Sequence, residues 1–297
     1  MDEPGASLDI IAKNDIVTYM KKYIAVFLII ILVMSCVGCN HSKQDDNNSS
    51  TLVSNEQTED NKGASSESNS TDETPKTTEN VDIPSKMELN KFGKLSYYLY
   101  SPSNPTEDMP LIIYLHGGTN KKSDVTELLK TDGFPKYLYD GYYGDLRAYV
   151  AVPKLENRYK GWADIYEQIR DLIKILNTDY KIDMDKIALT GHSMGGTGTY
   201  QLQVKLPNTF ACIAPMSGSI QNTEENVSAL SKTKIWAFIG TNDTIVKPES
   251  TQAIIDVLKE QGANAEITEL DEATHFDVPS LAYKNDDLIK WLVNCGK

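Results

Sequence analysis

The chain has 297 residues, with 29 Lys and Arg against 42 Asp and Glu, which gives a formal net charge of −13. This acidity argues against nucleic acid as a partner, because binding to phosphates requires a basic surface. The four cysteines are too few for a disulfide-built miniprotein and lack the paired CxxC spacing of a structural zinc site. We therefore expect no nucleic-acid partner, no metal and no other cofactor.

Near the N-terminus, an apolar run covers residues 23–34, directly after Lys21 and Lys22. A short basic start, an apolar core and small residues after it are the three parts of a secretory signal. The run is shorter than the roughly 20 residues that span a bilayer comfortably. Segment 20–39 resembles a bacterial lipoprotein signal, in which a cysteine after the apolar run is acylated.

Two cysteines follow this run, and Gly38 before Cys39 favours Cys39 as the acylated residue, with Cys36 as the alternative. The resemblance implies export and a lipid anchor on the outer face of the cytoplasmic membrane. The alternative is an uncleaved N-terminal transmembrane helix. Because signals of this kind start shortly before the apolar run, we expect residues 1–19 to be a spurious or disordered extension.

The acidic residues are concentrated in segment 40–84, which carries ten of them against three lysines. This segment consists mainly of Ser, Thr, Asn, Asp, Glu, Gln and Lys, and its few apolar residues cannot offset the entropy of ordering the chain. We therefore expect an extended, disordered tether. Residues 85–297 carry a net charge of only −5 and are numerous enough for one domain with a substantial core.

In this domain, apolar runs alternate with amphipathic patterns. Strand-like runs cover residues 96–100, 111–115, 148–152, 186–190, 210–215, 234–239 and 265–270. Helical patterns cover residues 123–129, 163–176, 195–206, 249–261 and 281–293. The central runs are continuously apolar, as strands buried on both faces must be. The alternation predicts an α/β fold with a mostly parallel sheet.

The motif Gly191-His192-Ser193-Met194-Gly195 lies between a predicted strand and a predicted helix. A sharp turn of this kind raises the serine hydroxyl above the sheet, at a helix N-terminus that favours developing negative charge. Ser193 is therefore the candidate nucleophile.

A serine nucleophile requires a base, and the chain has four histidines. His41 lies in the tether, and His192 adjoins the serine, so that its side chain should point away from the hydroxyl. His116 belongs to the turn after strand 111–115, where we expect it to brace the loop. Elimination leaves His275, just after the last predicted strand.

The third member should be an acid between the serine and the histidine in chain order. Asp243 follows the apolar run 234–239, at the strand edge where such sites assemble, and would orient the imidazole. Asp271 and Glu272, beside His275, are the alternatives. For the oxyanion hole, we expect the backbone N–H groups of Met194 and of Gly118, which lies in the turn after strand 111–115.

In four segments the sequence resembles the α/β-hydrolase family, and the resemblance covers nearly all of residues 95–297. They are His116-Gly-Gly118, Gly191-His-Ser-Met-Gly-Gly196, Gly240-Thr-Asn-Asp243 and Thr274-His-Phe276. Residues 239–246 and the Pro-Glu-Ser that follows are similar to lidless esterases and predicted peptidases related to polyester depolymerases and feruloyl esterases. The resemblance implies a Ser-Asp-His triad on an eight-stranded sheet, and hydrolysis of an ester bond.

The expected activity is thus that of an extracytoplasmic serine hydrolase acting on carboxylic esters, either small molecules or acyl and aryl esters on a polysaccharide. A small-peptide hydrolase is one alternative, since the triad does not separate esters from amides. The other is a non-catalytic surface-binding protein on a hydrolase scaffold.

Two further expectations concern the surroundings of the site. Only 14 residues lie between Ser219 and Lys234, which is too short for a cap domain and predicts an open site. Trp162, with the aromatic residues of segments 132–144 and 159–162, is a candidate to line a substrate cleft; packing is the alternative. Cys212 is predicted to be a core residue, and nothing in the sequence indicates a disulfide with Cys295.

Overall fold

The computed structural model describes residues 85–131 and 133–296. The predicted segments 1–19, 20–39 and 40–84, with the candidate lipidation sites Cys36 and Cys39, lie outside the described residues. In the described part of the chain, no helix combines the length and apolar character needed to cross a membrane.

Eight strands form one sheet in the order β1-β2-β4-β3-β5-β6-β7-β8. Strand β2 is antiparallel to both of its neighbours, and all other pairs are parallel. The strands are β1 (Lys86–Phe92), β2 (Leu95–Ser101), β3 (Leu111–Leu115), β4 (Tyr149–Pro153), β5 (Ile187–His192), β6 (Cys212–Met216), β7 (Lys234–Gly240) and β8 (Ala265–Leu270). The prediction of a mostly parallel sheet of about eight strands is confirmed.

Helices cover both faces of the sheet. They are α1 (Phe134–Tyr139), α2 (Tyr166–Tyr180), α3 (Met194–Lys205), α4 (Glu224–Leu230), α5 (Pro248–Glu260), α6 (Val278–Ala282) and α7 (Asp286–Asn294). Short 3₁₀ turns occur at Gly118–Lys121, Val125–Leu129 and Trp162–Ile165. Helices α2 to α5 contribute to the core on one face of the sheet, and α1, α6 and α7 to the core on the other.

The burial of strand β3 on both faces explains why its sequence is continuously apolar. Leu111, Ile113 and Leu115 belong to one core, whereas Ile112 and Tyr114 belong to the other. Side chains alternate between the two faces of a strand, and helices cover both faces of this one. Every position of β3 is therefore buried, and an alternating pattern would not be stable there.

The helical pattern predicted at 281–293 is two helices in the structure. Helix α6 ends at Ala282, and α7 begins after Asn285, whose side chain accepts a hydrogen bond of 2.9 Å from the N–H of Asp287. Asparagine is a favoured residue at helix N-caps, so this break has a local cause.

No cap domain covers the sheet between β6 and β7. Helix α4 lies in this connection, but its Val227 and Leu230 are buried in the core beneath it. The prediction that this segment is too short for a cap domain is confirmed.

A disulfide joins Cys212 of β6 to Cys295, which follows α7, and both residues are buried. The two lie 83 residues apart. Cys212 is a core residue, as predicted, but nothing in the sequence indicates its pairing with Cys295. The C-terminal segment is also held by Lys234, whose Nζ donates to the carbonyl oxygen of Gly296 at 2.6 Å.

Candidate active site

Ser193 occupies a single-residue turn between β5 and α3. Its backbone angles are φ 59° and ψ −118°, a region that residues with a side chain rarely adopt. Its N–H donates to the carbonyl oxygen of Met216 at 2.9 Å, which fixes the turn to the neighbouring strand β6. Strain at one residue, held by its surroundings, is typical of functional sites and of this strand-to-helix turn in particular.

The glycine two residues later allows the turn to lie close to β3. A Cβ atom at Gly195 would lie 1.9 Å from the carbonyl oxygen of Leu115, far inside van der Waals contact. Glycine is required there because the first turn of α3 packs directly on the backbone of the adjacent strand. The close packing brings Ser193 beside the loop that follows β3. A Cβ atom at Gly117 of this loop would lie 3.6 Å from the Cβ atom of Ser193.

The three side chains predicted as nucleophile, base and acid form one chain of hydrogen bonds. His275 Nε2 lies 2.8 Å from Ser193 Oγ, and His275 Nδ1 lies 2.8 Å from Asp243 Oδ2. A carboxylate only accepts hydrogen bonds, so Nδ1 carries the proton and Nε2 is free to accept the serine hydroxyl. His275 and Asp243 are each only 4% exposed, which shields the Asp243–His275 hydrogen bond from water.

Asp243 is held as a carboxylate by its surroundings. Burial alone would raise its pKa, but the N–H of Val246, the ring of His275 and the N–H of Ile245 all donate to it and together lower its pKa below the usual value. The carboxylate is therefore ionised at neutral pH and able to stabilise a positive charge on His275.

The loops that carry Asp243 and His275 are tied to each other. Asn242 N–H donates to the carbonyl oxygen of Ala273 at 3.0 Å, and Glu272 N–H donates to Thr241 Oγ1 at 2.8 Å. The alternative acids fit less well: Asp271 and Glu272 are exposed, and neither has a hydrogen bond to His275 among the described contacts.

Gly118 and Met194, the predicted oxyanion-hole residues, each begin a helical segment beside Ser193. The first N–H groups of such segments have no partner within the helix. The side chain of His116 stabilises the loop of Gly118. Its Nδ1–H donates to the Gly117 carbonyl oxygen at 2.8 Å, and its Nε2 accepts the N–H of Leu155 at 3.0 Å.

A buried lysine that sequence reasoning missed also holds this loop. Lys154 Nζ donates to the carbonyl oxygens of Asn120 and Lys121, and the residue is only 8% exposed. No motif marks such a lysine, because its partners are backbone atoms of a loop 33 residues earlier in the chain.

A cavity of about 450 Å³ opens above Ser193. Among the residues that the structure describes, its lining contains no acidic residue, lysine or arginine: Gly117, Gly118, Thr119, Thr131, His192, Ser193, Ile245, His275, Phe276 and Pro279. Ile245 and Phe276 are 58% and 64% exposed, so apolar side chains form part of its rim. Within residues 85–131 and 133–296, no three His, Cys, Asp or Glu side chains are grouped so as to hold a metal ion.

Trp162 does not line this cavity. It is fully buried, its indole N–H donates to the carbonyl oxygen of His116 at 3.1 Å, and its ring packs against Gly198. The prediction that Trp162 lines a substrate cleft is therefore wrong. Trp162 is a core residue that supports the loop of Gly118. Of the other aromatic candidates, Tyr139 and Tyr142 are exposed, but neither lines the cavity.

A comparison with family models then matches residues 95–285 to the dienelactone hydrolase family. The matched range includes the turn of Ser193 and the loops of Asp243 and His275. The chain belongs to the dienelactone hydrolase family. This hydrolase family is part of the α/β-hydrolase superfamily, in agreement with the resemblance in the sequence.

Known relatives of this dienelactone hydrolase family member include esterases. A bifunctional acetylxylan esterase/xylanase of Neocallimastix patriciarum is 26% identical over 178 residues, which is 55% of this chain and 24% of the relative. The chain thus spans about a quarter of that relative's length.

Solved structures that share the fold include two esterases. A thermostable esterase is 21% identical, with a TM-score of 0.58 over 72% of this chain and 63% of that one. The feruloyl esterase module from Clostridium thermocellum, complexed with sinapinate, is 14% identical, with a TM-score of 0.52 over 67% and 88% of the two chains.

Proposed function

We propose that this member of the dienelactone hydrolase family is a serine hydrolase that cleaves carboxylic esters through an acyl-enzyme. The observation that carries the proposal is the hydrogen-bonded chain from Ser193 through His275 to Asp243, at the base of an open cavity. Esterases among its relatives support the choice of esters.

In the proposed reaction, Ser193 Oγ attacks the ester carbonyl carbon while its proton passes to His275 Nε2. Asp243 stabilises the imidazolium, and the N–H groups of Gly118 and Met194 stabilise the negative oxygen. The proton then passes from His275 to the leaving alcohol as the C–O bond breaks. Water, deprotonated by His275, hydrolyses the acyl-enzyme, and Ser193 regains its proton.

The cavity favours an uncharged substrate, because the described part of its lining has no lysine or arginine to pair with an anionic group. The apolar rim of Ile245 and Phe276 suits an acyl or aryl group. We therefore propose that the substrates are acyl or aryl esters, carried either by small molecules or by a polysaccharide. The acetylxylan esterase and feruloyl esterase relatives support the polysaccharide-linked class.

The test is labelling with a fluorophosphonate probe and turnover of p-nitrophenyl acetate by residues 85–297 and by the full chain. We expect both reactions in the wild type, and their loss in Ser193→Ala. The matched control is Ser228→Ala, which changes an exposed serine on α4 and should react like the wild type.

Labelling that persists in Ser193→Ala would remove Ser193 as the nucleophile. A folded wild type that neither labels nor turns over ester would favour a non-catalytic binding protein. Acetylated xylan, a feruloyl ester and aminoacyl p-nitroanilides should then be compared as substrates. Faster cleavage of the anilides than of the esters would favour a small-peptide hydrolase.

We further propose that the protein is exported and anchored to the outer face of the cytoplasmic membrane by a lipid on Cys39, or alternatively Cys36. The lipoprotein-like sequence at 20–39 and the predicted tether at 40–84 support this location. The Cys212–Cys295 disulfide is a second, independent support, because disulfides persist mainly in oxidising compartments. Mass spectrometry of the mature N-terminus tests it: an intact, unacylated segment 20–39 would favour a transmembrane helix instead.

A further inference from the structure

His192, the residue before the nucleophile, has no role in the proposed reaction, but its side chain contacts the main chain of His275. Its Nε2 lies 2.8 Å from the backbone carbonyl oxygen of His275. The two imidazole rings also touch, with their centres 4.7 Å apart. The side chain thus points away from the Ser193 hydroxyl, as the sequence predicts, but it reaches the main chain of the base.

The chemistry of this contact fixes the protonation state of His192. A carbonyl oxygen only accepts hydrogen bonds, so His192 Nε2 carries a proton and donates it. Burial, together with the neighbouring His275, lowers the pKa of His192 to about 4. The ring is therefore neutral at physiological pH, with the proton on Nε2 and a lone pair on Nδ1.

His275 needs a support of this kind because it lies on a loop, five residues beyond the end of β8. The side-chain hydrogen bonds of His275 set the rotation of its ring, but the position of the ring also depends on its main chain. His192 is covalently linked to Ser193, so a bond from its ring to the His275 carbonyl couples the base directly to the turn of the nucleophile. On its other side, His192 Nδ1 faces Gly117 of the oxyanion loop.

We infer that His192 is a positioning residue, which holds the main chain of His275 at the distance that the proton transfer from Ser193 requires. This inference rests on the proposed function. His192 is among the residues that line the cavity, but its Nε2–H binds the main chain of the base, so this hydrogen bond acts through His275. Small displacements of a reacting group reduce rate strongly, whereas they leave substrate binding largely unchanged.

Two substitutions separate the hydrogen bond from the shape of the ring. His192→Phe keeps a planar ring and loses the donor, and His192→Gln loses the ring but places an amide N–H near the position of Nε2. With p-nitrophenyl acetate, we expect His192→Phe to lower kcat roughly ten-fold or more at nearly constant KM. His192→Gln should retain kcat within about three-fold of the wild type, because the donor is preserved.

Rates are to be expressed per active site, titrated with the fluorophosphonate, so that misfolded protein does not count. Wild-type kcat in both variants would overturn the inference, as would equal losses in both, since ring packing would then be the cause. A wild type without activity would instead contradict the proposed function.

Should His192→Phe not fold, the imidazole ¹⁵N NMR spectrum gives a readout without activity. The expected signal is an exchange-protected Nε2–H that disappears in His192→Gln. A proton on Nδ1 instead would overturn the inference.

Discussion

At the scale of single residues, burial distinguishes Asp243 from the two other acids near His275. The sequence favours Asp243 and leaves Asp271 and Glu272 as alternatives, since each of the three lies close to the end of a strand. In the structure, the side chain of Asp243 is inaccessible to solvent and accepts three hydrogen bonds, whereas Asp271 and Glu272 face solvent. Only a carboxylate in such surroundings keeps a fixed orientation toward the imidazole.

Substitution of Asp243→Asn should lower kcat by about four orders of magnitude with little change in KM. An amide N–H in place of the carboxylate favours the tautomer in which Nε2 carries the proton and cannot accept the serine hydroxyl. Steady-state kinetics with p-nitrophenyl acetate measure the effect. Asp271→Asn is the matched control, and a comparable loss in the control would exclude Asp243 as the orienting acid.

Two neutral histidines should make stability depend on pH. Burial lowers the pKa of both His116 and His192 to about 4, below the value of 6.5 in the unfolded chain. The unfolded state therefore binds more protons between these pH values, so stability is complete above about pH 6.5 and is lost as the pH falls toward 4. We expect each histidine to contribute about 2–3 kcal/mol to this loss.

Urea unfolding of the wild type and of His192→Gln at pH 7 and pH 5 tests this dependence. The variant lacks one of the two titrating groups, so its loss of stability over this interval should be clearly smaller. An unchanged pH dependence in His192→Gln would show that the pKa of His192 is the same in the folded and the unfolded protein.

Motif and elimination were sufficient to select Ser193, His275 and Asp243, which the structure joins by hydrogen bonds, because the chemistry restricts each position to few residue types. The roles of Lys154 and His192 could not be predicted in this way. Both donate to backbone carbonyls, which are present at every residue, so nothing in the sequence indicates the partner.

At the scale of elements, the turn between β5 and α3 depends on backbone packing. The first turn of α3 lies against β3 at Gly195, and no side chain fits between them. The position of Ser193 is therefore set by main-chain contacts of α3 with β3 and of the turn itself with β6.

Gly195→Ala should destabilise the protein severely, because the new Cβ would meet the Leu115 carbonyl and force α3 away from the sheet. We expect a loss of several kcal/mol in the free energy of unfolding, or failure to fold, measured by thermal and urea denaturation. Gly161→Ala is the matched control: it has an extended backbone with φ −161° and free space around its Cβ position. Equal stability of the two variants would refute the packing argument.

The interior strands were predictable within a few residues, whereas β1 was not. Strand β3 is buried at every position and is apolar throughout, and β7 is apolar from residue 235 to residue 239. Strand β1 lies at the edge of the sheet, and even its Leu89 is 51% exposed. Such a strand is stabilised by backbone pairing with β2, and backbone pairing does not require an apolar or alternating sequence that could be recognised.

At the scale of the whole molecule, the disulfide joins the C-terminal segment to the interior of the sheet. Cys212 begins β6, which is paired on both sides, and Cys295 directly follows helix α7. The sequence could not predict this pair, since cysteines 83 residues apart meet only through the complete fold.

Replacement of both cysteines by alanine should lower the free energy of unfolding by about 4 kcal/mol, since the closed loop restricts the unfolded chain. Urea denaturation with and without reductant measures this effect. The reductant should destabilise the wild type and leave the double variant unchanged. A wild type that is insensitive to reductant even when unfolded would contradict the disulfide.

The edge position of β1 has a mechanical consequence. The N-terminal segment joins the sheet at residue 85, directly before Lys86, which pairs with Ser101 at the far end of the β1–β2 hairpin. Tension along that segment would pull the hairpin apart one residue pair at a time, from Lys86 toward Phe92. Three strands lie between β1 and β5 in the sheet, so the outermost strand can yield under force while the turn of Ser193 stays intact.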